Sequence, residues 1–103
     1  MTETIEPETV LLTPELAQCW LGASAWTYDP RDEPRISALA AAMAAGDWRP
    51  GSVVLIGPEG GLRDGQHRAA AVVRSGVSIT VMMFRTDEFS RPLCHPNHKI
   101  LPR

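Results

Sequence analysis

The chain has 103 residues, 44% of them hydrophobic and 21% charged, with a formal net charge of −2. That length and balance suit one domain with a single two-layer core and exclude wholesale disorder. They also speak against a broad cationic surface for nucleic acid, and no apolar run approaches the length of a membrane span. Residues 1–9 read as an acidic, polar lead-in without the basic start and apolar stretch of a secretory signal. Val10-Leu11-Leu12 follows as a short extended segment. Thr13-Pro14-Glu15-Leu16 opens the first helix, with Thr13 as N-cap and Pro14 in its first turn. Leu16, Cys19 and Trp20 fall on one face, and Gly22 is the expected stop. Residues 23–31 form a loop in which Trp26 and Tyr28 either cover the core or line a pocket rim, core cover being the better reading.

A second helix begins at Asp32-Glu33-Pro34, with acids at its positive end. Its stripe is Ile36, Leu39, Ala40 and Met43, and Gly46 ends it. Trp48 then plugs the end of the core. Ser52 to Ile56 is a strand whose continuous apolar run implies burial on both faces. Gly57-Pro58-Glu59-Gly60-Gly61 is a turn, and Leu62-Arg63 returns as a hairpin partner. A third helix runs from Gln66 to Ser75 and stops at Gly76. Val77 to Phe84 is the last strand, and residues 85–89 suggest a surface helical turn. The tail 90–103 carries Pro92, Pro96 and Pro102 and shows no periodicity. The pattern predicts an α+β fold: a small mixed sheet packed with about three helices, the domain spanning 10–89.

The chemistry concentrates between β-turn and third helix, at Asp64-Gly65-Gln66-His67-Arg68. Asp64 is placed to cap the helix, a role that outweighs metal ligation. Gly65 permits a tight turn and close approach to its backbone. His67 and Arg68 sit in the first helical turn, where cations are disfavoured by the partial positive charge already there. Cations against that gradient point to a bound anion, as at phosphate sites on helix N-termini. Arg68 is suited to grip two phosphate oxygens, or to pair with Asp64 or Glu59. His67 is either a phosphate ligand or a packed histidine bonded to backbone. Gln66 either contacts a base, ribose or phosphate or sits exposed. Arg31 and Arg35 can approach from the start of the second helix, while Arg74 complements its own helix dipole. Nine of the ten basic residues are arginine, only Lys99 being lysine. That bias fits planar anion recognition and equally fits coding composition.

These residues carry a family resemblance. Asp64-Gly65-Gln66-His67-Arg68, the small-residue helix and apolar strand after it, Leu12-Thr13-Pro14-Glu15-Leu16 and Gly46-Asp47-Trp48 resemble the ParB/sulfiredoxin superfamily. The likeness is closest to stand-alone ParB-like proteins of phages and mobile elements, and covers roughly residues 10–85. It implies a compact fold whose Gly-x-x-Arg corner binds nucleotide phosphates: CTP in ParB-type members, ATP in sulfiredoxins, with magnesium as an accompanying ion. By that resemblance Gly65, Gln66, His67 and Arg68, with Asp64, form the nucleotide site. Gln66 stands where sulfiredoxins carry the catalytic cysteine, and an amide cannot supply a thiolate, so that chemistry is not expected. The helix-turn-helix and dimerisation modules of partition proteins are not expected either, nor is DNA binding by this chain alone. No catalytic residue is assigned.

The alternative is a protein-interaction module that keeps the fold and docks on a host or phage protein through Trp20, Trp26, Tyr28 and Trp48. A nucleotide- or DNA-phosphodiester enzyme ranks lower, on family analogy alone. Cys94, His95 and His98 make three metal-capable groups where structural zinc needs four, and Cys19 would have to complete the set, so no metal site is expected. Ser75 and Ser78 lack a nucleophile-elbow setting. Cys19 and Cys94 read as reduced thiols in a cytoplasmic protein.

Overall fold

Inward and outward side chains alternate along three of the strands, and that alternation decides which face of the sheet is covered. The computed structural model describes residues 7–24, 26–48, 52–86 and 90–94. In chain order they form β1 (Glu8–Leu12), α1 (Pro14–Ala23), a 3-10 turn (Pro30–Asp32), α2 (Glu33–Ala44), β2 (Ser52–Ile56), β3 (Leu62–Asp64), α3 (Gln66–Ser75) and β4 (Ile79–Arg85). The sheet order is β1-β4-β2-β3. β1 lies antiparallel to β4, with Val10 opposite Val81; β4 lies parallel to β2, with Met82 opposite Val53. β3 returns antiparallel to β2, with Leu55 opposite Asp64. Among the described residues the fold is therefore α+β, three α-helices on a mixed four-stranded sheet.

Val10 and Leu12, Val54 and Ile56, and Ile79, Val81 and Met83 project from the sheet into one core. Ala17, Trp20, Ile36, Ala40, Met43, Ala69 and Val72 meet them from the helices. Among the described residues no helix covers the opposite sheet face, and Leu11 is 51% exposed and Val53 41% exposed there. This corrects the expectation that β2 is buried on both faces. Its apolar run reflects the fit of β-branched side chains to a pleated surface, which holds for a half-covered strand as well.

The start of α1 follows the sequence: the Thr13 hydroxyl accepts from Leu16 N at 3.1 Å, and Pro14 fills the first helical position. Its buried face does not. Trp20 is wholly buried and sets the helix rotation, with Ala17 one turn below it, while Leu16 is half-buried and Cys19 faces outward. Cys19 is joined there to Cys94, 75 residues on, with Cα atoms 6.2 Å apart, a separation within the range a disulfide spans. The expectation of two reduced thiols is thus corrected. Beside the bridge, Trp20 Nε1 donates to the Cys94 carbonyl at 2.7 Å.

α2 buries Ile36, Ala40 and Met43, with Leu39 half-buried at the margin. α3 packs against both α1 and α2. An ion pair fastens α2 to α3: Arg74 Nη1 and Nη2 meet Glu33 Oε2 and Oε1 at 2.6 and 3.0 Å. Ser37 and the Tyr28 hydroxyl donate to the same carboxylate. The Arg74 guanidinium, then Ser37 and Tyr28, hold the Glu33 carboxyl at about 2, well below its ordinary value. Trp48 packs half-buried against the core, as expected. No helix among the described residues is long and apolar enough to cross a membrane. Residues 1–6 and 87–89, and His95 and His98, on which sequence expectations fell, lie outside the described residues.

Candidate functional site

The β2–β3 turn delivers the chain to a corner that only glycine fits. It closes through Gly60 N to Gly57 O and Gly57 N to Gly61 O, both 3.0 Å. β3 then runs three residues and ends at Asp64. Gly65 turns the chain at φ 106° and ψ 12°, a left-handed conformation that disfavours L side chains. A Cβ placed on it would lie 2.8 Å from Val54 Cγ1 and 3.4 Å from Val54 Cα. The corner thus rests directly on β2.

Asp64 is not the helix cap that the sequence suggested. The N-cap is Gly65, which has no side chain to offer, and Asp64 sits one residue too early. Its Oδ1 instead accepts the adjacent Gly65 N–H at 2.9 Å. The first intrahelical bond is Ala69 N to Gly65 O at 3.0 Å. The amides of Gln66, His67 and Arg68 therefore have no acceptor within α3 and no capping side chain, which leaves three donors at the positive end of the helix.

Side chains from the motif divide between two cavities. One, of about 450 Å³, is lined by Arg35 and Leu39 of α2 and by Asp64, Gly65, His67 and Arg68. Arg68 Nη1 donates to the Val53 carbonyl at 3.2 Å. β3 pairs with β2 only at Leu55 and Ile56, so the guanidinium takes a β2 carbonyl beyond the reach of that pairing. Neither Asp64 nor Glu59 pairs with Arg68, and neither Arg68 nor Arg35 joins an ion pair among the described residues. Two arginines and one carboxylate, Asp64, thus line the cavity together.

His67 lies against the start of α2, its Nε2 3.3 Å from Oδ1 of Asp32, the residue before that helix. That nitrogen is shielded from solvent and makes no aligned hydrogen bond, so the contact is one of position and becomes an ion pair only if the imidazole is protonated. The Trp26 ring meets the imidazole edge-on at 6.4 Å between centroids. Gln66 departs from the group. Its Nε2 turns back to the Leu62 carbonyl at 3.0 Å, and it lines a second cavity of about 290 Å³ with Ser24, Trp26, Glu59, Leu62 and Arg63. Trp26 thus serves as pocket wall as well as core cover.

Of the two arginines noted near the start of α2, Arg35 reaches the larger cavity. Arg31 is turned away onto Asp29 at 2.8 Å and stays exposed. Among the described residues no cluster of three or more His, Cys, Asp or Glu side chains is placed to hold a metal ion. Comparison with family models, curated proteins and solved structures finds no match to this chain.

Proposed function

We propose that the chain is a small phosphate-binding domain of the ParB/sulfiredoxin-like kind. A nucleotide's phosphates would be held at the start of α3 by the amides of Gln66, His67 and Arg68 and by the guanidiniums of Arg35 and Arg68. The observation that carries this reading is the uncapped first turn of α3 beside a cavity lined by two arginines that form no ion pair among the described residues. Backbone donors and planar guanidiniums together recognise phosphate oxygens in a way that single charges do not. Asp64 adds an oxygen suited to a magnesium ion carried by a nucleotide. Gln66, engaged with Leu62 O, belongs to the reading as a backbone donor.

Isothermal titration with CTP, ATP, ADP and GTP, with and without magnesium, tests it. A charge-assisted hydrogen bond is worth about 1.5–3 kcal/mol, so Arg68→Ala should weaken binding by roughly 10- to 100-fold. Arg35→Ala should weaken it also. Binding by no nucleotide, or binding indifferent to both substitutions, refutes the assignment. The reading sets the protein in the cytoplasm of a phage or mobile-element host, where the Cys19–Cys94 bridge would meet a reducing pool.

Docking on a protein partner keeps one member of the aromatic set first considered, Tyr28, which is exposed. Trp20 is wholly buried, and Trp26 and Trp48 are half-buried. Two of the exposed apolar side chains, Leu11 and Val53, lie together on the open sheet face, apart from Tyr28 and Leu93. Partner capture abolished by Leu11→Lys but kept by Arg68→Ala would favour docking over phosphate binding.

A further inference from the structure

The Cys19–Cys94 bridge does more than join two distant positions, because residues 90–94 form a strap across the β2–β3 turn. Leu93 N donates to the Gly60 carbonyl at 2.8 Å. Gly60 has no room for a side chain here: its Cβ would sit 3.0 Å from Leu93 N and 3.1 Å from Arg91 O. On its other side the turn touches α1, since a Cβ on Gly61 would lie 2.5 Å from the Ala23 carbonyl. The turn is gripped between the end of α1 and the strap, and it leads through β3 to the Gly65 corner.

The two ends of the strap are held differently. At its start Ser90 is fully buried and shares a 2.6 Å hydrogen bond with the Thr86 hydroxyl, and Pro92 is buried. At its end the Leu93 side chain is 66% exposed and contributes little burial. Two hydrogen bonds, Leu93 N to Gly60 O and Trp20 Nε1 to Cys94 O, and the disulfide hold that end. Cys94 packs partly buried against the core, but Leu93 adds little; ordering chain costs entropy at every residue, and this contact with two hydrogen bonds offsets it only in part.

We infer that Cys19–Cys94 is a thiol-exchange site, attacked at Cys19, whose reduction releases the Leu93–Cys94 end of the strap from the β2–β3 turn. The co-reactant is a small thiol. Cys19 is exposed on α1 whereas Cys94 is half-buried, so Cys19 is the more open of the two to attack. A thiolate attacks Cys19 Sγ and forms a mixed disulfide there. The Cys19–Cys94 bond breaks, and Cys94 Sγ leaves with the electron pair as a thiolate that takes up a proton. A second thiolate attacks the sulfur of the bound thiol, forming the small-molecule disulfide. Cys19 Sγ departs as a thiolate and is protonated in turn. The protein gains two electrons and two protons, and two thiols become one disulfide. This inference does not depend on phosphate binding.

The test uses the native full chain with reduced glutathione. Peptide mass after acid quenching should find the first glutathione on Cys19. Amide hydrogen exchange by NMR should show Leu93 N–H exchanging at least tenfold faster in the reduced protein, with Val81 and Met83 N–H in β4 still protected. A mixed disulfide on Cys94, or no exchange until denaturant is added, overturns the point of attack. Unchanged Leu93 protection shows that the strap stays without its bridge, and protection lost throughout β4 shows a global staple; either overturns the release.

Discussion

Replacing Gly65 with alanine isolates the physical demand at the corner. Two costs add. The backbone at φ 106° disfavours an L side chain, by about 1–2 kcal/mol for left-handed conformations. The new Cβ also falls 2.8 Å from Val54 Cγ1 and 3.2 Å from Val54 Cβ, with Val54 fully buried. Overpacking of a tight core costs about 1–3 kcal/mol. Gly65→Ala should therefore lose about 2–5 kcal/mol, sums of the same two ranges. The control is Gly76→Ala, at φ 74° with nothing within 4 Å of its Cβ, which carries only the backbone cost. Both substitutions lower the entropy of the unfolded chain alike, so that effect cancels between them. Urea unfolding gives both values, with equal m-values confirming a common unfolded state. In a Val54→Ala background the Gly65→Ala loss should fall toward that of Gly76→Ala. If Gly65→Ala costs no more than Gly76→Ala, and Val54→Ala leaves it unaltered, the corner does not rest on β2 as described.

Leu11 and Leu12 are neighbours on β1, 51% and 0% exposed. Leu12→Ala should cost about 2–5 kcal/mol and Leu11→Ala under about 0.5, by urea unfolding. Glu33 has its folded carboxyl pKa lowered from 4.5 to about 2, first by Arg74 and then by Ser37 and Tyr28. Its contribution is therefore present above about pH 4.5 and lost as pH falls toward 2. Arg74→Ala should flatten that acid limb in urea midpoints measured across the window, and high salt should do so in part. The Cys19–Cys94 loop, with a separation of 75, implies about 4.5 kcal/mol of unfolded-state constraint. Reduction should lower stability by less than that if the strap end is released, because the native state regains some of the same freedom.

Local chemistry was legible wherever a residue acts on its near neighbours. Thr13 and Pro14 mark the start of α1, Gly76 ends α3, and the glycine-rich run 57–61 turns β2 into β3, all as the residue types dictate. Single-residue register was less legible. Asp64 is a good cap residue placed one position early, because the left-handed step at Gly65 starts the helix at Gln66. Likewise Trp20 rotates α1 so that Cys19 leaves the core face that periodicity gave it. Long-range pairing left no local trace. Nothing near Cys19 announces Cys94, and nothing in Val10 announces Val81. At the candidate site the motif fixed the corner, but only tertiary packing brings Arg35 to it and turns Gln66 aside.

The pairing of β1 with β4 has a consequence for how the molecule comes into being. Among the described residues β1 precedes every helix, yet its partner is the last strand, with Glu8 opposite Met83 and Leu12 opposite Ile79. β2 also finds its parallel partner only in β4. As the chain emerges from a ribosome, Val10 and Leu12 have no strand to dock on until residue 85 is out. The helices and the local β2–β3 hairpin can form early, but β1 and β2 are joined through β4 only in a late step. Such long-range closure makes folding slow for a chain of this size and leaves an apolar strand waiting.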